Sequence, residues 1–88
     1  MFRLWGRIWK DGRLLRDITI EDDSADTRTH KVMKALERMC AELDLANPIW
    51  LDANIREFQR HGKTRFYQDS FIEQIDFDCL EIRALEKE

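Results

Sequence analysis

The N-terminal part of the chain alternates hydrophobic and polar positions with a period of two. Two runs with this alternation, residues 2–10 and 13–21, flank the dipeptide Asp11-Gly12. Asp-Gly between two strand-like runs is the strongest short-range signal of a β-hairpin, because a type I′ turn needs positive φ at both central residues. The pattern therefore predicts an N-terminal hairpin.

The two-residue turn also predicts the pairing of the hairpin, which is Trp9 with Leu14, Arg7 with Arg16 and Trp5 with Ile18. Under this register both faces of the hairpin are partly apolar. Gly6 lies in the middle of the first strand, where glycine is typical of a bulge or of a close backbone approach. A bulge there would shift the phase and place on one side Phe2, Leu4, Arg7 and Trp9. The sequence leaves both registers open.

A helix is predicted over residues 25–43. Acids and serine in residues 21–26 precede it, and such side chains accept hydrogen bonds from free amides at a helix start. One broad apolar arc follows with helical spacing, made of Val32, Met33, Ala35, Leu36, Met39, Cys40 and Leu43. We expect this arc to cover one face of the sheet.

After Asn47-Pro48 the pattern predicts shorter elements. Asp52 can cap a second helix over residues 53–61, with Gly62 as its left-handed stop and with Ile55 and Phe58 as its buried pair. Residues 63–68 are predicted to be extended, and residues 77–85 form a last strand that carries on one side Leu80, Ile82 and Ala84. Residues 71–75 fit neither a helix nor a strand clearly.

The 88 residues are enough for a single domain, 1–88. The predicted class is α+β, with the N-terminal hairpin and one or two C-terminal strands in an antiparallel sheet. One long helix packs on a face of that sheet, and a second short helix lies near an edge. A hairpin alone is marginal in water, so a C-terminal strand is expected to pair with it.

Composition restricts the function classes. The net charge of −3 repels nucleic acid and anionic membranes in bulk, so any attraction to an anion must be local. No apolar run has the length of a membrane span, and no signal-peptide core follows Met1, so a cytoplasmic location without membrane contact is expected. Cys40 and Cys79 are too few for a disulfide scaffold and are expected to be reduced core residues.

The stretch REFQRHGKTRF is the main candidate binding site. It holds four cations in an acidic chain, namely Arg56, Arg60, Lys63 and Arg65. Arg56 and Arg60 are one helical turn apart, and arginine forks suit carboxylate or phosphate. The alternative is that cations at a helix C-terminus only complement the dipole and pair with nearby acids.

The hairpin provides a second candidate, in which Trp5 and Trp9 flank Arg7. Sheets that bind single-stranded nucleic acid use aromatic platforms with cationic neighbours. Tryptophan beside arginine is also common in protein interfaces. In the predicted register Arg16 lies opposite Arg7, and like charges across a pair are destabilising unless an anion covers them. The alternative is that the rings are core and the arginine stems lie over them.

Metal and catalytic chemistry have weaker support. The acids Asp22, Asp23 and Asp26 with His30 form the only oxygen–nitrogen cluster, yet they match no ligand spacing, and helix capping explains them. Cys40 lies on the apolar arc and His30 on the polar side of the same helix, so the pair is out of hydrogen-bond reach. We expect no enzyme activity, no metal and no cofactor.

Two stretches, LWGRIWKDGRLLRD and PIWLDANIREFQRHGKTRFYQDSFIEQIDFDCLEIR, resemble a family of small uncharacterised proteins from anaerobic Gram-positive bacteria. The resemblance covers nearly the whole chain and implies a bacterial, cytoplasmic setting. It implies no activity and no functional residues.

The leading hypothesis is a small non-enzymatic protein-interaction module. It contacts an acidic surface, on a protein partner or on a second copy of itself, through Arg56, Arg60, Lys63 and Arg65, joined by Trp5, Arg7 and Arg16. The alternative is binding of single-stranded RNA or DNA by the same basic and aromatic residues.

Overall fold

The computed structural model describes residues 1–86, and its α+β fold confirms the predicted class. The elements follow in the order β1 (Phe2–Lys10), β2 (Arg13–Asp22), α1 (Arg28–Leu43), α2 (Asp52–His61), β3 (Lys63–Phe66) and β4 (Cys79–Glu86). A single 3₁₀ turn, Gln68–Ser70, lies between β3 and β4. No helix in this part of the chain is both long enough and apolar enough to span a bilayer.

All four strands join one antiparallel sheet in the order β2-β1-β4-β3. Among the described residues the first and last strands, β1 and β4, are therefore the two central strands. The expected pairing of the N-terminal hairpin with a C-terminal strand is confirmed, and the short β3 completes the sheet at one edge.

The hairpin turn is confirmed, but most of the predicted register is wrong. Asp11 and Gly12 both adopt positive φ, as a type I′ turn requires, and Trp9 pairs with Leu14. A bulge then leaves Leu15 without a partner and shifts the rest of the strand by one residue. The pairs beyond the bulge are Ile8 with Arg16, Arg7 with Asp17, Gly6 with Ile18 and Trp5 with Thr19.

Gly6 marks a close approach of a helix rather than a bulge. An added Cβ at this position would overlap the Sδ of Met39 on α1 and would lie 2.8 Å from its Cε. Met39 is fully buried, so its terminal atoms fill the space above the glycine. The missing side chain of Gly6 therefore lets α1 lie directly on β1.

The core lies between the helices and one face of the sheet. On β1 the buried residues Phe2, Leu4, Gly6 and Ile8 face it, and so do Leu80 and Ile82 of β4. The predicted apolar arc of α1 is buried except for Met33, which is 46% exposed. In α2 Phe58 is buried as predicted, but Ile55 is 41% exposed, which corrects the predicted buried pair. Cys40 and Cys79 are buried and unpaired.

The helix starts also differ from the predictions. α1 begins at Arg28 because Thr27 caps it by accepting a hydrogen bond from the His30 amide, and the acids at 21 and 22 belong to β2 instead. α2 includes Asp52 in its first turn, so Asp52 is not the cap. The stop at Gly62 is confirmed, with φ of 70° in the left-handed region.

A buried polar chain fixes α2 to β3. The Asn54 amide donates to the Thr64 hydroxyl and to the Arg65 carbonyl, both at 2.9 Å, and the Thr64 hydroxyl donates to the Glu57 carboxylate at 2.6 Å. The Asn54 side-chain oxygen accepts from the Leu51 amide. These bonds fix α2 beside the short edge strand and so position the basic residues at 56–65.

Candidate interaction surface

The face of the sheet opposite the helices is the candidate interaction surface, and we call it the open face. On β1 the residues that alternate with the buried ones point there and are half-buried, namely Arg3, Trp5, Arg7 and Trp9. Their neighbours come from β4 and β3, namely Glu81, Arg83, Lys63 and Arg65. Period-two alternation places these side chains on one face, and the strand order and register then bring them together.

Arg7 lies between the two tryptophans of β1. The centre of its guanidinium is 3.3 Å from the Trp5 ring centroid and 5.8 Å from that of Trp9. This stacking stabilises the cation and covers one face of the Trp5 ring. Arg7 also has acids directly across on both sides, Asp17 on β2 and Glu81 on β4.

Glu81 connects two strands of the open face to β4 through hydrogen bonds. Its two carboxylate oxygens accept hydrogen bonds from the Trp9 indole at 3.1 Å and from the Arg65 Nε at 3.2 Å. Burial raises the pKa of this carboxyl, but the bonds from Trp9 and Arg65 outweigh that effect and leave the pKa lowered. Glu81 is therefore ionised at neutral pH and is already engaged by two donors.

The basic cluster is only partly neutralised within the chain. Arg65 is paired with Glu81, so for this residue the alternative of internal pairing is confirmed. Within residues 1–86 no ion pair holds Arg56, Arg60 or Lys63, and all three are exposed. Three of the four predicted cations thus remain available to an anion.

These cations line three neighbouring depressions. The first, of about 270 Å³, contains Arg56 and Arg60. The second, of about 190 Å³, shares Glu57 and His61 with the first and adds Lys63 and Arg65. The third, of about 70 Å³, lies on the open face and is lined by Trp5, Arg7, Lys63, Glu81 and Arg83. We call this third depression the notch.

The predicted Arg7–Arg16 pair is wrong, and another like-charge pair takes its place. Arg16 is opposite Ile8, a core-facing residue, because the bulge at Leu15 shifts the strand, so Arg16 does not join the open face. Instead Lys63 of β3 lies directly opposite Arg83 of β4. Sequence analysis missed Arg83, since its partner depends on the β3–β4 register, which no local pattern gives.

The candidate metal and thiol groups are engaged or buried. Lys34 Nζ and His30 Nδ1 lie 2.7 Å and 2.9 Å from the Asp26 carboxylate, and together with the Thr27 amide they lower its pKa. No group of three or more potential metal ligands occurs in the described part of the chain. Burial raises the pKa of the Cys40 thiol to about 11, which disfavours a thiolate at neutral pH.

A small apolar groove of about 160 Å³ lies between the two helices on the opposite side of the molecule. Met33 and Ile55, the two residues predicted to be core but found exposed, both line it beside Trp50 and Phe58. None of the predicted site residues lines it.

Comparisons with family models, with curated proteins and with solved structures found no match to this chain. The resemblance to small proteins of anaerobic bacteria therefore stays a prediction.

Proposed function

We propose that the protein is a small, non-enzymatic interaction module that contacts an acidic protein surface through its open face. The observation that carries the proposal is the continuity between the Trp5–Arg7–Trp9 row and the cations Lys63 and Arg83, neither of which forms an ion pair within residues 1–86. Tryptophan and arginine are the residues most enriched among binding hot spots. Arg56 and Arg60 line a depression that shares Glu57 and His61 with the one beside Lys63 and Arg65 of β3.

The charge pattern of the open face favours a protein partner over nucleic acid. Three acids occur among its cations, namely Asp17, Glu21 and Glu81. A polyphosphate backbone would be repelled by each of them, while a folded protein can place its own charges to match both signs. Arg7 also covers one face of Trp5, so that face is closed to a stacked base.

Single-stranded nucleic acid remains the second candidate, because one specific observation favours it. Both tryptophans and Arg7 lie on a central strand of an antiparallel sheet whose outer face carries no helix. Aromatic side chains in that position are typical of proteins that stack unpaired bases.

The experiment compares three baits in an extract of the source cells: the wild-type protein, Arg7→Glu and Arg38→Glu. Both variants reverse one arginine, but Arg7 is on the open face and Arg38 is exposed on α1. We expect an acidic protein to be retained by the wild type and by Arg38→Glu and to be lost with Arg7→Glu. Retention that disappears after nuclease treatment, or that is equal for all three baits, would overturn the proposal.

A second copy of the chain is one form of the proposed partner. Sedimentation velocity across a wide concentration range tests this form directly, because self-association through charged residues increases with concentration and weakens with salt. A constant monomeric mass removes self-association and leaves the proposal for a separate partner. The proposed setting is the cytoplasm of a bacterium, which the resemblance implies.

A further inference from the structure

The strongest unexplained feature of the open face is the pair Lys63 and Arg83. The neighbouring pair is hydrogen-bonded, since the Ala84 amide donates to the Gly62 carbonyl at 2.8 Å. In an antiparallel ladder the next pair is then of the non-hydrogen-bonded type, whose Cα atoms are only about 4.5 Å apart and whose side chains lie closest. Two cations in such a pair destabilise the sheet.

No ion pair formed by the described residues relieves this repulsion. Neither Lys63 nor Arg83 forms an ion pair within residues 1–86. Glu81 is the residue of β4 that precedes Arg83 on the open face, but its two oxygens already accept from Trp9 and Arg65. A third cation, Arg7, also lines the notch. The notch therefore carries more positive charge than the chain itself neutralises.

The size and walls of the notch limit what can enter it. Its volume is about 70 Å³, and it opens to solvent. A single carboxylate fits this space, and Arg83 can hold it with two parallel hydrogen bonds. Because the Glu81 carboxylate forms one wall, a monoanion suits the notch better than a dianionic phosphate.

We propose that the notch formed by Trp5, Arg7, Lys63 and Arg83 binds one aspartate or glutamate carboxylate of the acidic partner. This inference rests on the proposed function and identifies the group that the open face recognises. The apolar wall of Trp5 contacts the methylene carbons next to that carboxylate. Binding of the anion relieves the repulsion between Lys63 and Arg83, which the free protein retains.

The test uses a fluorescein-labelled hexaglutamate peptide as probe and fluorescence anisotropy as readout. Arg83→Gln is compared with Arg56→Gln, which removes the same charge from an exposed arginine outside the notch. We expect binding to be at least roughly tenfold weaker for Arg83→Gln, because the loss of even one of its two hydrogen bonds to the carboxylate has about that effect. Arg56→Gln should change the affinity by less than about threefold, as expected for a screened charge at a distance.

Two further measurements separate recognition from folding. Lys63→Gln should weaken binding in the same way as Arg83→Gln, and both variants should unfold at a higher urea concentration than the wild type, because each removes the like-charge pair. In a nitrogen–proton spectrum the peptide should shift the indole signal of Trp5 and leave that of Trp50, which packs in the core, unchanged.

The outcomes distinguish the two proposals. If hexaglutamate does not bind the wild type, the proposed function fails. If it binds but Arg83→Gln and Arg56→Gln weaken it equally, the notch inference is wrong while the proposed function stands. A third arm uses labelled oligothymidylate. The wild type could bind this oligonucleotide but not hexaglutamate, and Arg83→Gln could abolish that binding. This result would overturn both the proposed function and the notch inference in favour of nucleic acid.

Discussion

Glu81→Gln should weaken the fold and strengthen anion binding at the same time. The substitution keeps the shape of the side chain but removes the charge that Trp9 and Arg65 contact. On the open face it removes the one carboxylate that lines the notch. Stability and binding should therefore change in opposite directions, which a general loss of structure could not produce.

The magnitude follows from the two contacts. The Glu81 side chain is only 18% exposed, so solvent screens it little. A hydrogen bond from the Trp9 indole to the charged carboxylate contributes about 1.5–3 kcal/mol to stability, and the same bond to the neutral amide of Gln contributes about 0.5–1.5 kcal/mol. The Arg65 side chain is 50% exposed, and solvent screening limits such a pair to roughly 0.2–1 kcal/mol. We expect the free energy of unfolding to fall by about 1–2 kcal/mol at neutral pH.

The stability that Glu81 contributes should depend on pH. The pKa of Glu81 in the folded protein lies below its ordinary value of 4.5, so the carboxylate contributes its full stability above that value. The contribution is lost as the pH falls through the lowered pKa. The difference between wild type and Glu81→Gln should therefore be constant above pH 5 and shrink at lower pH.

Urea unfolding followed by tryptophan fluorescence, between pH 7 and pH 3, measures this difference. Glu37→Gln serves as the control, because Glu37 is exposed on α1 and loses the same charge. Hexaglutamate binding is measured on the same samples at pH 7 and should become tighter for Glu81→Gln only. A stability difference that does not change with pH, or a binding loss, would refute the role assigned to Glu81.

Two other predictions concern the scaffold under the open face. Gly6→Ala should destabilise the protein by about 1–3 kcal/mol through overpacking against Met39, and urea unfolding of Gly6→Ala, Met39→Ala and the double variant should show less than additive losses. Additive losses would mean that the two residues do not meet. Thr64→Val should lower the free energy of unfolding by about 1–2 kcal/mol in the same assay, because Asn54 and Glu57 lose a buried hydrogen-bond partner. An unchanged urea midpoint would show that this hydroxyl does not stabilise the attachment of α2.

The local elements could be predicted from the sequence because their signals are local. The Asp-Gly turn, the apolar arc of α1 and the left-handed stop at Gly62 each depend on residues close together in the chain. The register of the hairpin could not be predicted, since the bulge at Leu15 has no glycine or proline to mark it. One extra residue there changed the partner of Arg7 from Arg16 to Asp17.

The candidate site was predictable only in part for a similar reason. Trp5, Arg7 and Lys63 were identified as basic or aromatic positions, and the sheet brings them to one notch. Arg83 lay in a strand without any special composition, and it became relevant only because β4 joins β1 to β3. Internal pairing of Arg65 with Glu81 likewise depends on strand order and not on the charge run itself.

The strand order affects how the protein can fold while it is being synthesised on the ribosome. β1 can pair with β2 as soon as both have emerged, but its other edge has no partner until β4 is made, and Trp9 and Glu81 are 72 residues apart. Until then a nascent chain exposes the unsatisfied amides and carbonyls of what will become a central strand. A translation product that stalls before residue 79 is therefore expected to be a substrate for chaperones and proteases and not a smaller folded domain.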